Sequence, residues 1–153
     1  MQTQPDQLAK QLDARHRTMI ILWAALVLSL GFYFAIILFA QKPETDDTQS
    51  RALTFALTAA GVFLVIISFA LKQKFVAQAE TKQEPALLQT GLIIALAFCE
   101  SAALLGLFDF FTTGNHYFFV NFIVALVGML LHFPRREQLA VASYRRQDSM
   151  GNR

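Results

Sequence analysis

The residue whose type and position could do chemistry is Glu100, a lone carboxylate inside the apolar run GLIIALAFCESAALLGLF. It stands about fourteen residues into the apolar stretch over 86–111 that contains this run, roughly 20 Å along a helix at 1.5 Å per residue. Holding a charged acid at the centre of a bilayer costs about 2.5–3.5 kcal/mol on insertion scales. Away from water a carboxyl is cheapest in its neutral, proton-bearing form. An acid that is neutral against lipid and ionised against water or a cation has what proton carriage requires, so Glu100 is the expected ion-binding (proton) residue. The competing expectation is polar glue: a protonated glutamate hydrogen-bonded to a neighbouring helix, worth roughly 0.6–2 kcal/mol. Polar groups at comparable depth are Ser29, Tyr33, Thr58 and Ser101.

The remaining polar residues carry weaker signals. Asp109, in LFDFFTTGNH, lies near the end of its run and is expected to be hydrated, close to Lys42 or Arg51. Its sharper alternative is the outer end of a proton path, with Asn121 as a neighbour; for Asn121 itself a capping or packing role is expected. The single cysteine, Cys99, excludes a disulfide within this chain and a multi-cysteine metal site, and reads as a small buried side chain. His16, His116 and His132 show no metal-ligand spacing. With no nucleophile–base pair and no phosphate-cradling glycine loop, no enzymatic activity, cofactor or metal is expected. The basic residues form no stripe interleaved with aromatics, which argues against nucleic acid.

The elements that must position these residues follow from composition. Hydrophobic residues make up 55% of the chain and charged residues 16%, against about a quarter charged in soluble domains. Apolar stretches run over 18–40, 52–71, 86–111 and 117–133, each near the ~20 residues of a spanning helix. The first is longer than the ~7–15 residues of a signal-peptide core and no clean small-x-small cleavage site follows it, so it is read as retained. Lys10, Arg15, Arg17, Lys72, Lys74, Lys82, Arg135, Arg136, Arg145, Arg146 and Arg153 fall on one side of these stretches, and only Lys42 and Arg51 on the other. The crowded side is the cytoplasm. The expected fold is therefore all-α: a polytopic protein of the inner (cytoplasmic) membrane, four transmembrane helices in an antiparallel bundle, both termini cytoplasmic.

Residues 1–17 form a leader in which Leu8 and Leu12, one turn apart, hint at a short interfacial helix. Residues 18–133 form the membrane domain, and 134–153 a basic tail whose REQLAVASYRR segment could add another short helix. KQKFVAQAE is built of helix formers and could prolong the second helix, and Pro85 suits the first turn of the third.

Small residues predict how the helices pack. Ala95, Cys99, Ala102 and Gly106 recur on one face of the third helix, and Thr54, Thr58, Gly61, Val65 and Ser68 on one face of the second. Small residues let membrane helices approach closely. The expectation is a tight antiparallel hairpin with Glu100 beside its seam, Gly61 near its depth, and Ser101, Thr58, Gly61 and Asp109 in support.

The third helix also resembles the carboxylate-bearing helix of rotary ATP synthase proteolipids (subunit c). Ala97, Phe98, Glu100, Ser101, Gly106 and Leu107 match its pattern of a lone glutamate, a following small residue and a later Gly-Leu. Gln83, Glu84 and Pro85 stand where that hairpin has its polar loop. The likeness is confined to residues 83–108. It implies an ion-binding role for Glu100 and a ring-shaped homo-oligomer. Two functions are thus expected in competition: a proton-handling subunit of an oligomer or larger membrane complex, or an accessory, scaffolding protein. In the second, Glu100 only joins helices, and the chain binds other membrane subunits within the lipid bilayer.

Overall fold

The computed structural model describes residues 4–41, 47–82, 84–114 and 116–134. Regular structure among them is helical throughout: α1 (Gln4–Phe39), α2 (Asp47–Lys82), α3 (Pro85–Thr113), a 3-10 turn (His116–Phe118) and α4 (Phe119–Leu131). The leader is not a separate interfacial helix. It runs without a break into α1, because no glycine or proline interrupts the chain from Asp6 to Leu30. KQKFVAQAE does prolong α2, which continues to Lys82. Pro85 opens α3, where its missing N–H costs no helical bond. Gly114 closes it with φ 58°, donating its N–H to Phe110 O at 3.0 Å, a left-handed cap that glycine adopts without Cβ strain. The REQLAVASYRR segment lies outside the described residues.

Three helices are long and apolar enough to cross a membrane: Leu12–Phe39, Arg51–Ala79 and Ala86–Thr113. The fourth stretch is the shortest, as its span of 117–133 implies. Its α-helix is 13 residues long, about 20 Å at 1.5 Å per residue against a hydrocarbon layer of about 30 Å. The 3-10 turn takes up the start of the stretch, and Pro134 follows shortly after its end.

The core is a hairpin of α2 and α3 with α4 laid over it. Thr54, Gly61, Val65 and Ser68 of α2 and Ala95, Cys99, Ala102 and Gly106 of α3 are all buried. Both stripes follow the alternating three- and four-residue steps that keep one face of a helix toward its neighbour. On α3 the stripe does not stop at Gly106: Asp109 and Thr113 continue it and are buried as well. Gly128 of α4 stands so close to the hairpin that a Cβ there would come within 2.9 Å of Cys99 Sγ and 3.0 Å of Val65 Cγ1.

By contrast, α1 is peripheral. Of the apolar window of α3, 44% is buried, against 22% for α2 and 11% for α1. Among the described residues the backbone of α1 runs close beside α3 and α4 but not α2. Its contacts with the core include Leu12, Met19, Trp23, Leu26, Val27, Leu30, Tyr33 and Ile37, while other apolar side chains along it are open, with Leu28 76% and Phe39 90% exposed.

Candidate functional site

Glu100 follows Cys99 by one residue, so it is rotated by about 100° away from the α2–α3 seam. That rotation turns it toward α1. Ser29 and Tyr33, one turn apart on α1, both donate to its Oε1, at 2.9 and 2.8 Å. Ser29 Oγ also lies 2.8 Å from Leu26 O, and one hydroxyl proton cannot serve both acceptors fully, so Tyr33 is the more committed donor. The carboxyl is half-buried, at the edge of the α1–α3 contact rather than sealed within the core.

The residues expected to support Glu100 are dispersed. Ser101 is exposed and turns back on its own helix, donating to Ala97 O at 2.9 Å. Thr58 is half-buried on α2. Gly61 faces α4, where a Cβ would run into Asn121 Oδ1. Cys99 and Ser68 meet across the seam at 3.6 Å. Beside them, His132 Nδ1 lies 2.6 Å from Gly128 O and its ring stacks obliquely on Phe69 at 4.3 Å.

Asp109 is not the hydrated, interfacial group that its place near a helix end implies. It is fully buried. Thr54 Oγ1 donates to its Oδ1 at 2.9 Å, and Thr113 Oγ1 divides its proton between that oxygen at 2.9 Å and Asp109 O at 2.8 Å, while Arg51 is exposed and Lys42 lies outside the described residues. The cause is the α3 stripe: Asp109 comes three residues after Gly106 and seven after Ala102, so the geometry that buries them buries it. The signal was in the spacing. Asn121 is likewise fully buried, wedged between Gly61 and Gly106.

A second tie between α1 and the core is Trp23, whose Nε1–H donates to Met129 O at 2.8 Å, with its ring edge-on to Phe133 at 5.1 Å. Neither it nor the Phe34–Phe122 contact at 5.8 Å was evident from the sequence. The described residues contain no group of three or more His, Cys, Asp or Glu placed to hold a metal ion.

Set against known protein families, curated proteins and solved structures, the chain matches none. Its chemistry has to be read from these contacts alone.

Proposed function

We propose that this chain is an integral membrane protein with both termini in the cytoplasm, the 3-10 turn and α4 together (His116–Leu131) making the fourth crossing, and that it acts as a non-catalytic accessory subunit. In this reading its first helix is an adapter clasped to a three-helix core by Glu100. The observation that carries it is the pair of hydroxyls of Ser29 and Tyr33 on Glu100 Oε1. They give a mid-helix carboxyl a structural task, joining the least buried helix to the most buried one. The unpartnered face of α1, with Leu28, Phe32 and Leu38 at 66–76% exposure, is then free for lipid or a neighbouring membrane subunit. Such a surface is untenable in water and ordinary in a bilayer. Immersion also accounts for Phe55, 73% exposed on α2, and Leu131, 64% exposed at the end of α4.

The test is to compare Glu100→Gln with deletion of the whole protein. Glutamine keeps an acceptor oxygen for both hydroxyls but cannot titrate. Under this reading the variant co-purifies in mild detergent with the same membrane partners as the native chain, whereas deletion disrupts the complex that contains it.

A second reading, proton handling by Glu100 in a proteolipid-like oligomer, is favoured by the half-buried position of the carboxyl at a helix seam. Labelling with a hydrophobic carbodiimide separates the two. Modification of Glu100 that strengthens as pH falls, with loss of function in Glu100→Gln, selects proton handling. An unlabelled Glu100 with a functional glutamine variant selects the adapter.

A further inference from the structure

The core formed by α2, α3 and α4 holds a second carboxyl whose polar surroundings are incomplete. Oδ1 of Asp109 accepts from Thr54 and Thr113, but Oδ2, equally buried, has no hydrogen-bond partner among the described residues. Asn121 is fully buried too, and neither its Oδ1 nor its Nδ2 has a partner among them. Both side chains are 0% exposed, so bulk solvent does not satisfy these atoms.

The three orphaned atoms share one end of the bundle. A Cβ on Gly106 would come within 2.9 Å of Asn121 Cβ, and Asp109 lies one turn further along the same stripe of α3. Gly106 lies against Asn121 and Cys99 against Gly128, so α3 and α4 run antiparallel. Helical side chains lean toward the N-terminus of their own helix. The Asn121 amide therefore leans toward the Thr54–Asp109–Thr113 end. Two glycines face it, Gly61 across from its carbonyl and Gly106 against its Cβ, and a Cβ on either would collide with it, so the amide can sit between the helices only because both positions are glycine.

More than about 90% of buried polar groups in folded proteins are paired, and the exceptions call for a water, an ion or strain. The chemistry selects among these. Asn121 offers a donor in Nδ2 and an acceptor in Oδ1, while Asp109 Oδ2 accepts when ionised and donates when protonated; one water, which both donates and accepts, complements the amide and either form of the carboxyl. Asn121 Oδ1 can take a further water proton, bringing the partners within the two to four that buried waters usually have. We propose that Asp109, Thr54, Thr113 and Asn121 form an internal water-binding site at this end of the core, in which water bridges the amide of Asn121 to Oδ2 of Asp109. The site is independent of the Glu100 clasp, which lies on the other side of α3.

The test uses the full chain in lipid nanodiscs. Leucine has nearly the shape of asparagine but no polar atoms. If water bridges the site, Asn121→Leu strands Oδ2 of Asp109 and lowers Tm; if the amide is dry and orphaned, the same substitution raises Tm. A second readout serves if that variant does not fold. Solid-state NMR of the native chain should show a cross-peak between water and the Asn121 side-chain amide protons, identified by its loss in Asn121→Asp. Both measurements are repeated with sodium replaced by choline. A lowered Tm or the cross-peak, each unchanged by the replacement, supports the water site. A raised Tm, a missing cross-peak, or a Tm that falls when sodium is removed overturns it, the last in favour of a cation.

Discussion

Replacing Glu100 by leucine removes the acceptor shared by Ser29 and Tyr33 and leaves α1 held by Trp23 and apolar contacts alone. Interhelical hydrogen bonds in membranes are worth about 0.6 kcal/mol on average and up to about 1.7. Tyr33 is committed to Glu100, whereas Ser29 divides its proton between Glu100 and Leu26 O, so the first bond should reach the upper part of that range and the second fall below its mean. The expected loss is about 1–2 kcal/mol, a factor of about 5–30 in the balance between docked and released α1. Glu100→Gln keeps the acceptor oxygen and should cost less than about 0.5 kcal/mol. The chain reports its own docking, because Trp23 is its single tryptophan and lies on α1, bonded to Met129 O. Titrating detergent-solubilised protein with dodecyl sulfate while following Trp23 emission reads the release of α1. Leucine should move that transition to lower dodecyl sulfate, and glutamine should leave it near the native midpoint. An unmoved transition in Glu100→Leu, or an equal shift in both variants, would refute the clasp.

Further outcomes follow from the same contacts. Tyr33→Phe should shift the Trp23 transition more than Ser29→Ala, and either change made on top of Glu100→Leu should add little, the signature of a shared acceptor in a double-mutant cycle. Gly106→Ala should destabilise by about 1–3 kcal/mol in the same titration, since its Cβ would stand 3.0 Å from Phe118 O, part of a backbone that cannot swing aside. Gly31→Ala meets nothing within 4 Å and should be neutral or slightly stabilising, by up to about 1 kcal/mol from helix propensity. Reporter fusions should locate the C-terminus in the cytoplasm and the segment between α1 and α2 on the opposite side; finding both on one side, or the two exchanged, would overturn the proposed orientation.

Much of the helical framework is legible in the sequence, because an uninterrupted run of about twenty apolar residues has few folded forms other than a buried or spanning helix. The small-residue stripes on α2 and α3 are legible for a related reason: side-chain spacing along a helix fixes which residues share a face. Carried two steps past Gly106, the same spacing reaches Asp109 and Thr113 and places them inside the bundle. Proximity to a helix end pointed instead to water, and burial against α2 outweighs it. What spacing cannot provide is the partner on the far side of a face. Glu100 lies one residue off the α3 stripe, which says that it points away from α2 but not toward what. That α1, rather than α4 or lipid, fills that side depends on how the four rods stack, a choice made by contacts between residues some 70 positions apart. The sequence by itself determined that the apolar stretches are helices and which of their faces carry small residues, since these rest on local periodicity. Only the tertiary structure decided that Ser29 and Tyr33 meet Glu100 and that Asn121 drops between two glycines, because hydrogen bonds and steric fit between helices act at a range where one helix holds no record of the next.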